Sequence, residues 1–294
     1  MENANGRTDT LKLARQKAGR WCARAWALPT LAVVALTLPS GPAGAAGVLP
    51  AVGLVPHVAG YSMQVVPVGN SAGVQGGRGV LQLEWLRDCD GMAYTQHSVL
   101  TLNSDEGAAI DSAVHLQSWE AADASRFRFL LESSIEGEVT EEVSGLAERG
   151  SDGSLVVRYT LPEPHEERMA VGTMFPWQQM RAVMTGAEGG EQQFWHRLLR
   201  GEAEGDPIGV SVRILRQEGP PTDLGDRGDL LPVKGWRVVS AFFEDKVAAE
   251  PKFEINETIM ASGVITRAEI AYPDMIMRLK LERLKRTPVP ECGK

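Results

Sequence analysis

The chain has 294 residues, 43% hydrophobic content and a formal net charge of −8. That much apolar material can build a sizeable core, which argues against intrinsic disorder. Lys and Arg concentrate in the first 45 positions, so the remainder carries about −12, and such an acidic chain is a poor partner for nucleic acid.

The N-terminus has the layout of an export signal. Lys12, Arg15, Lys17, Arg20 and Arg24 precede an apolar run over residues 25–38, and Ala43-Gly44-Ala45 fits a small-residue cleavage site. Residues 1–45 are therefore expected to be a cleavable signal peptide. The apolar run is short for a bilayer span, which needs about 20 residues, and Pro29 interrupts it. No Cys follows the cleavage site, so lipoprotein processing is not expected. The expected location is the periplasm, a compartment that permits disulfides.

Residues 46–60 read as a flexible leader and 61–68 as a first strand. The glycine-rich stretch 70–79 reads as a loop. From there the hydrophobic pattern has period two. Over 80–88, Leu81, Leu83 and Trp85 share one face and Gln82 and Glu84 the other. A turn at Asp90-Gly91 leads into a strand over 92–102. Strands follow over 113–120 and 125–133, the latter setting Phe127, Phe129 and Leu131 against Arg126, Arg128 and Glu132. Residues 139–149 and 154–161 form a hairpin at Asp152-Gly153, and 162–167 breaks the pattern.

The one convincing helix starts at Pro176, a residue favoured at the first helical position. Trp177, Met180 and Met184 recur at helical spacing, and Gly186 can end it. Strands resume over 192–199 and 208–216. After an acidic, Gly/Pro-rich loop at 220–234, four more strands over 236–244, 252–261, 265–272 and 276–284 complete the sheet. The expected fold is all-β and mainly antiparallel: a curved or barrel-like sheet of about a dozen strands wrapping one α-helix, in a single domain over 61–294.

Three cysteines occur, and Cys22 lies in the leader. Cys89 and Cys292 are expected to pair, the alternative being two free or intermolecular thiols. The bond would pin the hairpin tip Asp88-Cys89-Asp90-Gly91-Met92 to the C-terminal tail, fastening two ends of a sheet that need not close by hydrogen bonds alone. There is no C-x-x-C, and the flanking acids disfavour a nucleophilic thiolate.

No catalytic constellation stands out. His57, His97, His115, His165 and His196 are scattered without metal-ligand spacing, so no metal is expected. A G-x-S-x-G elbow is missing, which ranks an unrecognised hydrolase last. The glycines of 73–79 lack the Gly-Lys-Ser/Thr ending of a phosphate loop, so no cofactor is expected. Glu136, Glu138, Glu141 and Glu142 read as a solvated strand face in preference to a cation site. Trp119, Phe175, Trp177, Met180 and Met184 read either as core packing or as contacts to a groove or partner. A Met-bearing helix against a curved sheet could hold an acyl chain.

Taken together, several motifs resemble the EipB family of cell-envelope integrity proteins from alphaproteobacteria. They are Glu84-Trp85 running to Cys89-Asp90-Gly91, Gln117-Ser118-Trp119-Glu120 with Arg126-Phe127-Arg128-Phe129, Gly172-Thr173-Met174-Phe175-Pro176, Trp236 with Ala241-Phe242, Ile270-Ala271-Tyr272 with Asp274, and Leu281-Glu282-Arg283-Leu284 running to Cys292. The resemblance implies a periplasmic β-spiral, a broken barrel-like sheet of up to fourteen strands around a helix, reminiscent of lipoprotein carriers of the LolA and LolB type. It implies the same disulfide, a non-enzymatic role in envelope integrity, and a partner carrying tetratricopeptide repeats. The alternative function is a periplasmic carrier of lipid or lipoprotein acyl chains.

Overall fold

The computed structural model describes residues 53–69, 73–105, 107–202, 208–225, 227–244 and 248–292. The expected signal segment 1–45 lies outside them. Eight strands form the first half: β1 (His57–Pro67), β2 (Val74–Arg87), β3 (Gly91–Ser104), β4 (Ala109–Ala121), β5 (Arg126–Ile135), β6 (Glu138–Arg149), β7 (Leu155–Leu161) and β8 (His165–Met169). The second half holds β9 (Thr173–Met174), the helix α1 (Pro176–Gly189), β10 (Gln193–Leu198), β11 (Ile208–Glu218), β12 (Gly235–Phe243), β13 (Phe253–Met260), β14 (Ile265–Ala271) and β15 (Met275–Arg286).

All fifteen strands belong to one sheet in the order β8-β7-β6-β5-β4-β3-β2-β1-β15-β14-β13-β12-β11-β10-β9. Neighbours are antiparallel except β9 and β10. The first and last strands pair along their whole length, from His57 opposite Arg286 to Pro67 opposite Met275. They form a central seam from which the two halves wind away. The fold is thus nearly all-β and barrel-like, as the period-two pattern predicts.

Alternation places the core. Ala59, Tyr61, Met63 and Val65 of β1 are buried, while Ser62 and Gln64 are exposed. Three apolar clusters cover the inward face. One gathers Phe127, Phe129, Leu155 and Val157 with Phe175 and Leu199. A second packs Val183, Met184 and Ala187 of α1 on Val210, Val212, Val238 and Ile259. The third unites Tyr61, Leu81, Leu100 and Leu281 around the seam. Each fully buried large aliphatic or aromatic side chain contributes about 1.5–3 kcal/mol.

The structure corrects several boundaries. The first strand begins at His57, inside the expected leader, and Ala59 there is fully buried. The glycine-rich stretch belongs largely to β2, which starts at Val74. Gly79 serves close strand approach: a Cβ there would lie 2.3 Å from the Val99 carbonyl oxygen. The segment after Pro162 forms the short strand β8. The loop at 220–234 carries two short 3-10 turns and buries Leu230 and Leu231, with Ser262 Oγ donating to the Leu230 carbonyl at 2.7 Å.

Cys89 and Cys292 are joined in a disulfide, with Cα atoms 5.4 Å apart and the two residues 203 positions apart in the chain. The bond does not bridge two open sheet edges. It runs from the β2–β3 turn to the tail leaving β15, beside a seam that is already hydrogen-bonded. Thr287 starts that tail, its N–H donating to Pro56 O at 3.2 Å and its hydroxyl to Trp85 O at 2.9 Å. Replacing Cys292 by Ser should lower the unfolding free energy by up to about 5 kcal/mol, the loop-closure value for a span of this length. Urea denaturation checks this. A loss below about 1 kcal/mol would show that the β1–β15 ladder holds the chain ends without the clasp.

Candidate functional site

The helix has an unusual seat. Its N-cap, Phe175, has no side chain able to accept a hydrogen bond, yet the first N–H groups of a helix need acceptors. Glu120 of β4 supplies them. Its Oε2 accepts the Trp177 N–H at 2.8 Å and its Oε1 the Gln178 N–H at 3.0 Å. This carboxyl is 3% exposed. Burial pushes its pKa up to about 8, against the two N–H donors and the nearby cations Arg149 and Arg181, which pull it down.

Arg149, at the end of β6, gathers the chain around the same point. Its guanidinium donates to Ala124 O at 3.0 Å, Gly153 O at 3.3 Å, Thr173 O at 3.0 Å and Gln178 Oε1 at 3.4 Å. It also lies 5.0 Å from the Phe175 ring centroid. Gln178 Oε1 in turn accepts the Phe175 N–H at 3.4 Å. At the far end, Gly190 adopts the left-handed conformation with φ 78°, and Glu191 N–H closes the helix on Gly186 O at 2.8 Å.

The five residues singled out from the sequence separate. Phe175 and Met184 are fully buried, so both are core residues with no surface to offer a partner. Trp177 and Met180 are half-buried. With Trp85 and Met92 they line a space of only about 10 Å³, room for one water at most. The Trp177 ring lies 5.5 Å from that of Trp85, the two planes tilted by 45°. The helix therefore touches β2 and β3 on one side and β11 to β13 on the other, and no residue from 176 to 187 is exposed. Trp119 alone is on the outside, half-exposed beside the clasp. Its Nε1 donates to Asp88 Oδ2 at 2.6 Å, and Arg126 and Arg128 flank its ring at 5.9 and 5.5 Å.

Among the described residues no group of three or more His, Cys, Asp or Glu side chains could hold a metal ion. His97 and His115 meet across β3 and β4, with ring centroids 4.0 Å apart and planes tilted by 34°. His196 is 5% exposed, and burial lowers its pKa to about 4. Glu136, Glu138, Glu141 and Glu142 are exposed around the β5–β6 hairpin.

Sequence reasoning missed a groove of about 1080 Å³ on the outer face, where the segment Gly219–Leu224 overhangs β1, β2 and β12 to β15. Arg78, Arg237, Arg267, Arg278 and Lys280 line it, against only Asp223 and Glu269. The signal was present as the polar phase of the strand alternation. It became legible only once the strand order set those phases side by side.

These features define a barrel-like envelope of antiparallel strands, clasped at its seam by one disulfide and closed around one capped helix. A model of the EipB-like family matches residues 49–288, and the chain belongs to that family. It is 29% identical over 251 residues to the cell envelope integrity protein EipB of Brucella abortus, covering 83% of this chain and 89% of that protein. The crystal structure of a β-barrel-like protein from a domain family of unknown function, also from Brucella abortus, matches with a TM-score of 0.75 and 26% identity. That match covers 81% of this chain and all of the other.

The seat of the helix has a pH signature. Glu120 holds its proton more tightly folded than unfolded, so its contribution to stability is full below the unfolded pKa of 4.5 and is lost as pH rises toward about 8. Half-buried Glu257, raised to about 7 by burial, acts in the same sense. His196 acts oppositely, its contribution falling as pH drops from 6.5 toward 4. Glu120→Gln should make the change of stability between pH 5 and pH 8 less negative by up to about 1.4 kcal/mol per pH unit. Urea denaturation at the two pH values measures this. Identical slopes in the two proteins would refute it.

Proposed function

We propose that this protein is a non-enzymatic periplasmic protein that supports cell-envelope integrity by binding another envelope protein. The observation that carries the reading is family membership, with 29% identity to the Brucella abortus cell envelope integrity protein across most of both chains. The Cys89–Cys292 disulfide supports an oxidising compartment, in keeping with the export-like leader at 1–45. The resemblance to the family points to a partner built of tetratricopeptide repeats. Trp119, half-exposed beside the clasp and flanked by two arginines, is one anchor of the aromatic and Arg type that interfaces favour.

A carrier of lipid or lipoprotein acyl chains is the second reading. The barrel-like fold is compatible with it, and Leu102, Met275 and Met277 are only half-buried although they pack on the inward cluster at the seam. Against it, the space beside the helix is too small for an acyl chain.

Cells lacking the gene should survive poorly on detergent, and the full chain should restore them while a form starting at residue 46 should not. Restoration by the leaderless form would overturn the periplasmic assignment. Native mass spectrometry of gently purified protein separates the two readings. A co-purifying protein and no lipid is expected, whereas stoichiometric lipid would put the carrier first.

A further inference from the structure

The outer groove reverses the sign of the molecule. A chain with formal net charge −8 lines this one concavity with five cations and two carboxylates. Strand pairing explains the arrangement. Arg237 lies opposite Thr258, Thr258 opposite Arg267, Arg267 opposite Lys280 and Lys280 opposite Ser62, a row across five strands. One step along, Asn256, Glu269, Arg278, Gln64 and Arg78 form a parallel row. With about 4.8 Å between strands, cations two strands apart stand about 10 Å apart.

Some of this charge is already met. Arg278 pairs with Glu269 at 2.8 Å, Arg267 with Glu218 at 3.0 Å, and Lys280 with Asp223 at 2.9 Å. Arg237 bonds only the amide oxygen of Asn256, at 2.8 Å, and exposed Arg78 has no hydrogen-bond or ion-pair partner among the described residues. The Lys280 partner is informative. Asp223 comes from the overhanging Pro220-Pro221-Thr222-Asp223 segment, so the chain itself lays an acidic, proline-bearing peptide along one rim. The rest of the cationic row has no such cover.

We propose that this groove binds an extended acidic peptide segment of a partner protein, seated as Asp223 already is. The floor favours a peptide over a lipid. Exposed Ser62 and Gln64 and the half-buried Asn256 amide offer hydrogen bonds, while Met63, Ala268 and Leu281 are buried toward the core and leave no slot for an acyl chain. Charge complementarity of this kind governs association and is weakened by salt. The inference deepens the partner reading above and rests on it.

The test uses a fluorescein-labelled peptide of about eight residues, with Glu at every third position among Pro and Ser, followed by anisotropy on the mature protein. Binding is expected at low ionic strength and should fall roughly tenfold toward physiological salt. Arg78→Glu should weaken it about tenfold. Asp223→Asn, which frees Lys280, should tighten it severalfold. Unaltered melting temperatures keep both variants interpretable. Failure to bind, indifference to both substitutions, or displacement of the peptide by inorganic phosphate or phosphatidylglycerol vesicles would each overturn the groove. If Arg78→Glu abolishes peptide binding yet still retains the co-purifying envelope protein and detergent resistance, the groove assignment falls and the envelope role stands.

Discussion

One carboxylate fixes the position of the helix, and through it the curvature of the sheet. A helix whose start is packed against the sheet cannot leave its buried first N–H groups unpaired, because such groups are strongly disfavoured. Phe175 cannot cap them, and its ring is needed in the core beside Phe127, 5.1 Å away. Glu120 meets the need from 57 residues upstream. Since β4 belongs to the first half of the sheet and α1 packs on strands of the second, this contact ties the halves across the interior. Arg149 adds a second tie, drawing the β4–β5 and β6–β7 turns, β9 and the helix start onto one guanidinium. Burial opposes charge on Glu120, while helix N–H groups and cations favour it. Burial prevails and raises its pKa to about 8, so the seat of the helix responds to pH.

The seam solves a different problem. A sheet this wide has two edges, and exposed edges invite pairing with other chains. Here the first and last strands are placed at the centre, where β1 and β15 hydrogen-bond and the disulfide fastens the turn beside them. The edges fall to β8 and β9, consecutive in sequence and joined by a short turn in which both the N–H and the hydroxyl of Thr173 donate to Ala170 O. β8 is five residues long and presents His165, Glu166, Glu167 and Arg168, and β9 has only two residues. Short, charged edges resist further pairing. The clasp therefore protects the part of the sheet where chain ends would otherwise fray.

The strand phases, the helix and the cysteine pair were legible because each rests on local pattern: period two, helical recurrence after Pro176, and two cysteines beyond the leader. What was hidden depends on partners far away in sequence. Gly77 and Gly79 look like loop residues, and only the nearness of the β3 backbone explains them as strand. His57 to Gly60 looked like leader because a run of small and turn-prone residues precedes it, yet β2 and β15 flank it on both sides. Glu120 looked like any polar strand residue, although it is inward and opposite Met92 and Phe127. Met184 and Phe175 were legible as apolar, but whether they met core or ligand depended on how closely the sheet wraps the helix.

That wrapping bears on where recognition can occur. The inward groups Glu120, Glu257 and His196 owe their shifted pKa values first to burial, and Glu120 spends its acceptors on the backbone of α1. Groups committed to holding the fold are poor candidates for meeting a partner. The outer face is freer, since its side chains were selected only for compatibility with the strands beneath them. The chain as a whole carries an acidic surplus. In the polar phase of β12 to β15 and β2 it reverses, because Arg or Lys stands at five of those positions while the balancing acid arrives mainly from the ends of other segments, Glu218 and Asp223. A concavity whose own counter-ions are borrowed from neighbouring segments is chemically prepared to exchange them, and that property lies on the outside of a sheet whose inside is occupied with holding one helix in place.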